Sequence, residues 1–445
     1  MGNIASTILL ACAIPFNMVA LFTNMITTLI VKSQRCVLGV PSTIQLETED
    51  FVKHFSLWVD SCVTISGNTP KSLIHTVDNQ RILIGFSCRS LFETGLTALK
   101  ASPYFISKRD KSSSLKIVTT PIHHKSYVAI MEKMTDSIEV LSLTDNMTAI
   151  VLDHHAEEMI KTCDVIVVTH LFGQSFDLTE LIALKNRYQK ILIVDGVMAG
   201  ARNATHTTLG IDLDIYSTGQ DKRPVAVGGG YCIPRHEAFA EMEAETLSYP
   251  VVGRLERLKK ILNTFFLRVL YQHRPFHLFL LAAMKLFHIK LSNVTGVVRK
   301  SNPGFQHDGY LLCPNESMVQ SVKLELPNVL QMEDKYIACW KEYLTLLPNE
   351  AREAFYPFYH LDKPVIMPYN QILIPVGHEE KFLAFCDTHL IGCLGNQNYK
   401  ALASAGKEYH MFNARIMNFI TVIRPLDEMQ FVTERVAEYF QQQQC

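Results

Sequence analysis

The sequence predicts an α/β fold in which a largely parallel sheet is covered by helices, and three observations predict it. From Arg81 to Pro234, short β-branched runs alternate with helical stretches, the order expected of parallel strands joined by helical crossovers. Several of these runs are apolar nearly throughout rather than at every second residue, as strands buried on both faces should be. Between two of them, FDLTELIALKNRYQ (176–189) sets Leu178, Leu181, Ile182 and Leu184 mainly on one helical face, with Asp177 close to its start.

In chain order the strand runs are KIVTTPI (116–122), IEVLSLT (138–144), VIVVTHLFG (165–173), KILIVDGV (190–197), LDIYSTG (213–219) and AVGGGYCIP (226–234). Ligands on such sheets gather at the carboxyl ends of the strands, so the informative residues lie just after them. Four stretches stand out. SCRSLFETGLTAL (87–99) opens a helix with small and hydroxyl residues, and its free N–H groups and dipole suit a phosphate. THLFGQ (169–174) carries His170, VDGVMAG (194–200) ends the most apolar strand with Asp195, and YSTGQDK (216–222) carries Ser217 and Lys222. Singly, each has a plain structural explanation: a capping acid, a satisfied core histidine, an ordinary serine N-cap. Their shared edge gives them a chemical meaning.

Composition narrows the classes. A chain of 445 residues is long enough for two or three domains, and 48% hydrophobic with 19% charged residues describes a slightly apolar globular protein. A formal net charge of -1 offers no basic footprint for nucleic acid. The 11 cysteines are scattered without a CxxC, so they read as reduced thiols, mostly in the core.

Residues 1–31 contain no charged side chain, and the run that closes at Lys32 and Arg35 is long enough to cross a bilayer. It reads either as a membrane anchor on a cytoplasmic protein or as an apolar arm packed on the body or in a dimer interface. MGNIAS also fits the myristoylation pattern, with Gly2 as acceptor. Past Pro234, ILNTFFLRVLYQHRPFHLFLLAAMKLFHI (261–289) reads as two apolar helical segments broken near Pro275. Helix-like stretches then flank NQILIPV (370–376) and NFITVIR (418–424), and QQQQC reads as a frayed tail. The expected division is an arm at 1–37, a large domain at 38–310 and a small α+β domain at 311–445.

A strand-end Asp, then a lysine within Ser-x-x-x-x-Lys and before a glycine cluster, resembles the fold-type I pyridoxal-phosphate enzymes, above all the DegT/DnrJ/EryC1 family. That family is best known for aminotransferases of nucleotide-linked keto sugars. The resemblance covers residues 80–235 well and the rest in outline. It implies a homodimeric enzyme with pyridoxal 5'-phosphate as cofactor, a small-molecule amino donor and a keto acceptor. By the same resemblance, Lys222 carries the cofactor covalently and Asp195 holds the pyridinium proton. Ser217 binds the phosphate together with Ser87, Cys88, Arg89 and Ser90, and His170 lies beside the cofactor.

These residue types suit the chemistry. An amine must be neutral to attack an aldehyde, which a desolvated pocket favours. A carboxylate that keeps the ring nitrogen protonated lets the ring accept electrons. The chain also departs from the family's pattern. Met198 stands where glutamine is common, and the residue stacking on the ring must come from HHKSY (123–127), with His123 or His124 ahead of Tyr127. The Gly-x-Asn-x-Arg stretch of sugar aminotransferases is missing from residues 237–262; Asn413 and Arg415 in HMFNARIMNF lie in the wrong part of the chain. The expected function is an aminotransferase, with a degenerate member serving as a binding protein, or a related lyase or dehydratase, as the alternatives.

Overall fold

The computed structural model describes residues 48–64, 69–77, 79–107, 114–135, 137–171, 173, 175–200, 210–219, 222, 226–272, 287, 309–346, 370–396, 398–419 and 426–444. Among them are the strands β1 (Ile74–Val77), β2 (Gln80–Gly85), β3 (Lys116–Thr119), β4 (Ile122–His124), β5 (Ser137–Val140), β6 (Val165–Thr169), β7 (Ile191–Asp195), β8 (Leu213–Ser217) and β9 (Gly230–Pro234); β3 and β5 to β9 fall on the six expected runs, while β1 and β2 lie ahead of them. β6 and β7 are buried at every position. Val165, Val167, Ile191 and Ile193 enter one core cluster, while Ile166, Val168, Leu192 and Val194 enter another. That is the two-residue alternation of strands covered on both faces.

Eight of these strands form one sheet in the order β1-β2-β9-β8-β7-β6-β3-β5. β8, β7, β6, β3 and β5 run parallel, and β9, β2 and β1 close one edge antiparallel. Two expected runs change shape. KIVTTPI breaks at Pro121, which has no N–H to give a ladder, so β3 ends at Thr119 and β4 leaves the sheet. In AVGGGYCIP only Gly230 onward is strand; Val227, Gly228 and Gly229 have φ of 55°, 117° and 99°, a left-handed turn.

The helices that matter for the site are α1 (Thr48–Thr64), α2 (Cys88–Ala101), α3 (Lys125–Met134), α4 (His154–Thr162), α5 (Thr179–Arg187), α6 (Arg254–Gln272) and α7 (Glu316–Glu325). In α5 the Asp177 carboxylate accepts from the Thr179 N–H at 3.0 Å, and Leu178 and Leu181 are buried. The expected apolar pair at 261–289 is represented by one helix, α6, through Gln272; Pro275 and the rest, apart from Phe287, lie outside the described residues. So does the whole N-terminal stretch 1–37 with its uncharged run. No helix among the described residues is long and apolar enough to cross a membrane.

A smaller C-terminal α+β part holds the antiparallel sheet β10 (Asn370–Leu373), β13 (Ile416–Phe419) and β11 (Cys393–Gly395). Residues 420–424 of the expected NFITVIR strand fall outside the described residues. The terminal glutamines are not a frayed tail: the last helix, Leu426–Gln444, includes Gln441 to Gln444. A short strand, β12 (Tyr399–Ala401), returns to the large part and pairs with β4, setting Tyr399 opposite His124.

Candidate active site

The carboxyl ends of β6, β7 and β8 bring three of the expected residues to one edge. Asp195 closes β7, and its carbonyl accepts the His170 N–H at 3.1 Å, tying the ends of β6 and β7 together. Its side chain is 3% exposed and accepts the Val197 N–H at 3.1 Å. Burial raises the Asp195 pKa to about 6, against the lowering influence of that N–H, of the Lys222 charge and of the Thr169 hydroxyl. Ser217 closes β8 and is partly exposed, with its hydroxyl 3.4 Å from the Gly219 N–H.

Lys222 stands on the loop after β8, where its backbone N–H donates to the Gly219 carbonyl at 3.0 Å. Its Nζ lies 3.6 Å from the Met198 sulfur, and Met198 is buried. The Lys222 charge acts on Asp195, on Cys88 and on His124 alike. These residues, far apart in sequence, therefore share one local field.

The start of α2 faces the same place. Ser87 caps it: its hydroxyl accepts the Ser90 N–H at 3.1 Å, and the Ser90 hydroxyl accepts the Ser87 N–H at 3.0 Å. Ser90 is thereby spent on the cap, while Cys88 and Arg89 remain partly exposed. Burial and the Asp195 charge raise the Cys88 thiol pKa, with Arg89 and Lys222 opposing. Gly230 lets the helix start come this close. A Cβ there would lie 2.7 Å from the Cys88 nitrogen and 2.9 Å from the Tyr216 carbonyl oxygen, closer than side chains pack.

The three candidates for the stacking position separate clearly. His123 is fully buried; its Nδ1 meets the Thr169 hydroxyl at 2.6 Å and its Nε2 the Thr120 carbonyl at 2.6 Å, so its ring is held inside. Tyr127 is buried and stacked on Phe92, with ring centroids 4.2 Å apart. His124 alone is partly exposed. It caps α3 through Nδ1, which accepts the Ser126 N–H at 3.3 Å, and the Tyr399 ring meets it edge-on at 5.6 Å. Burial, then Arg89, Lys222 and Lys125, lowers the His124 pKa to about 3. His170 is 6% exposed and its Nδ1 accepts the Phe176 N–H at 3.1 Å; burial lowers its pKa to about 4. Both rings are neutral near pH 7.

Asn413 and Arg415 are structural: Asn413 donates to the Tyr399 carbonyl at 3.0 Å and Arg415 to the Ile374 carbonyl at 2.6 Å. Four residues around the site escaped the sequence reading. Thr218 is fully buried beside Ser217, and its hydroxyl donates to the Gly228 carbonyl at 2.9 Å. Lys260 on α6 lies 5.4 Å from the Phe86 ring, and burial, with Arg257 and Arg89 adding to it, lowers its pKa. Arg257 is fully buried behind the glycine turn, and Tyr399 arrives from the far end of the chain. A signal existed for Arg257 alone: it shares the buried stripe of an amphipathic helix with Ile261, Thr264 and Arg268.

The eight-stranded, mostly parallel sheet with an antiparallel edge and a smaller α+β part matches the fold of solved aminotransferase structures. Helicobacter pylori PseC, an aminotransferase involved in the biosynthesis of pseudoaminic acid, superposes with a TM-score of 0.61 at 11% identity, over 92% of this chain and 100% of that one. Bacillus subtilis ntda with bound cofactor PMP gives 0.61 at 10% identity, over 92% and 86%. The GDP-4-keto-6-deoxymannose-3-dehydratase ColD with bound GDP-perosamine gives 0.52 at 10% identity, over 90% and 94%. No protein-family profile matches the sequence, and no curated protein matches it.

Proposed function

We propose that this chain is a pyridoxal 5'-phosphate-dependent aminotransferase, moving an amino group from a small-molecule donor to a keto acceptor. The observation that carries the reading is the field shared by the Lys222 amine and the buried Asp195 carboxyl beside the start of α2. The cofactor fits what is there. Arg89 and Lys222 crowd positive charge on His124 at a helix start held close by Gly230, a place for an anionic group. At the opposite end, a carboxyl starved of solvent waits for a proton-bearing partner.

When bound, pyridoxal phosphate supplies an aldehyde that takes up amines and a ring that accepts electrons. The N–H groups at the start of α2, with the Ser217 hydroxyl, would hold its phosphate, and the Ser87–Ser90 cap keeps that start rigid. Asp195 would pair as an anion with the protonated ring nitrogen, whose charge replaces the water that burial removed. His124 would lie on the ring face and His170 beside it, both neutral and so adding no charge. Lys222 would bind the aldehyde and, once displaced by the donor amine, carry a proton to and from the substrate carbon.

Borohydride reduction of the protein loaded with pyridoxal phosphate tests this. The label is expected on the peptide containing Lys222, and Lys222→Ala should lose the absorbance of the lysine-bound cofactor. Other lysines are worse placed: Lys116 begins β3, Lys190 donates to the Cys163 carbonyl at 2.8 Å, and Lys125 is exposed on α3. Label elsewhere would sink the mechanism. No label on a folded protein would favour the non-catalytic binding role, to which the thioether of Met198 beside the amine lends support.

The acceptor we propose is a nucleotide-linked keto sugar, the class to which the GDP-4-keto-6-deoxymannose named for ColD belongs. We also propose a homodimer, with the arm at 1–37, the cofactor domain at 38–310 and the closing domain at 311–445. For the uncharged run 1–31 the choice is anchor or packed arm. The full chain sedimenting with membranes while a chain begun at Leu38 does not would establish the anchor; equal solubility would establish packing.

A further inference from the structure

The loop that carries Lys222 is closed on itself. The Thr218 carbonyl accepts the Ala226 N–H at 3.0 Å and the Gly228 N–H at 3.3 Å, and the Thr218 N–H donates to the Gly229 carbonyl at 3.2 Å. Closing it so tightly drives Val227, Gly228 and Gly229 through positive φ, a conformation a β-branched residue adopts only when its surroundings impose it. The turn also leaves the Ala226 and Val227 carbonyls facing the interior, where a polar group without a partner is costly.

Arg257 meets both. One terminal nitrogen donates to the Val227 carbonyl and the other to the Ala226 carbonyl. Its side chain is fully buried, and it forms no ion pair with a carboxylate among the described residues. Its Nε has no hydrogen-bond partner there either. A guanidinium buried at this cost has both of its terminal nitrogens engaged by one turn. On the other side Val227 packs into a cluster with Phe55, Trp58 and Ile261, which fixes the turn against α1 and α6.

We propose that Arg257 is a positioning residue for the Lys222 amine: by holding the Ala226 and Val227 carbonyls, it sets where the closed loop presents that amine. The proposal rests on Lys222 being the reactive amine. Arg257 touches no reacting atom in this scheme; it acts through the turn.

The test uses the cofactor-free full chain as wild type, Arg257→Met and Arg257→Lys. Two quantities are read: amide hydrogen exchange at Ala226 and Gly228, and the rate at which added pyridoxal phosphate becomes borohydride-trappable on the Lys222 peptide. Arg257→Met should speed exchange at those amides relative to β6 and β7. It should also slow labelling by about a hundredfold, the scale of displacing a reacting group by an ångström. Arg257→Lys, which restores a donor, should recover part of the rate. Exchange and labelling both at wild-type values in Arg257→Met overturn the proposal, as does exchange that rises evenly over the whole sheet with no recovery in Arg257→Lys. Should Arg257→Met fail to fold, native Arg257→Lys labelling slower than wild type supports the proposal and labelling at the wild-type rate overturns it. A wild type that takes no label on Lys222 rejects the site assignment instead, and the exchange arm still decides whether Arg257 holds the turn.

Discussion

The Lys222 amine nitrogen and the Met198 sulfur stand 3.6 Å apart at the mouth of β7 and β8. A thioether is a weak acceptor, so the sulfur offers this amine a weaker contact than an amide oxygen at the same place would.

Met198→Gln should therefore change the pH at which Lys222 reacts. An amide oxygen at this place stabilises the ammonium, so labelling of Lys222 by pyridoxal phosphate should require a higher pH than in wild type, while Met198→Leu should leave the profile in place. Identical profiles for all three proteins would show that the sulfur contact has no bearing on the amine.

Asp195→Asn should keep bound cofactor and lose most transamination, since an amide cannot balance a pyridinium charge; preorganised charge contacts of this kind are worth roughly 3–4 kcal/mol. The cofactor-free protein gives a second readout. The native Asp195 pKa is raised to about 6 from 3.8, so its contribution to stability is full below the unfolded value and is lost as pH rises through about 6. Above that pH the Asn variant should be the more stable, by up to about 3 kcal/mol. Full transaminase activity in the variant would assign the ring nitrogen to another acid.

Gly230→Ala should be costly although the site of change carries no chemistry. The added carbon would sit 2.7 Å from the Cys88 nitrogen and 3.0 Å from the Ser87 carbonyl carbon, both backbone. Overpacking of this sort costs roughly 1–3 kcal/mol, and pushing α2 away should also weaken cofactor affinity. Gly309→Ala, with nothing among the described residues within 4 Å of the new carbon, serves as the control. Equal unfolding midpoints for the two variants would contradict the close approach.

The histidines set a pH dependence of opposite sign to that of Asp195. Burial lowers His123 and His170 to about 4, and burial with neighbouring cations lowers His124 to about 3. Stability from such groups is full above the unfolded value of 6.5 and is lost as pH falls from there toward 4. The cofactor-free protein should lose unfolding temperature across that window, and His170→Asn should flatten the loss. A slope unchanged in the variant would mean that His170 is protonated without penalty.

Much of this could be seen in the sequence because it is local. Unbroken, β-branched apolar runs such as VIVVT and ILIVD suit strands covered on both faces, and a parallel sheet then sends its strand ends, with His170, Asp195 and Ser217, to one edge. Ser87 before a helical pattern and glycines after Lys222 are equally local signals. None of them states which distant segments meet. Whether His123 or His124 looks outward depends on the pairing of β4 with β12, whose residues come from the other end of the chain; successive strand residues point opposite ways, and only the register chooses between them. The antiparallel edge of β9, β2 and β1 likewise follows from long-range pairing. Arg257 carries no local mark of its task, because the two carbonyls it holds belong to a turn that only the packing of α6 brings within its reach. The sequence by itself determined the strands, the edge and the residue types gathered there. The tertiary structure alone decided which of two adjacent histidines stays partly exposed and which side chain meets the Ala226 and Val227 carbonyls, since burial and hydrogen-bond satisfaction are settled between segments and not within them.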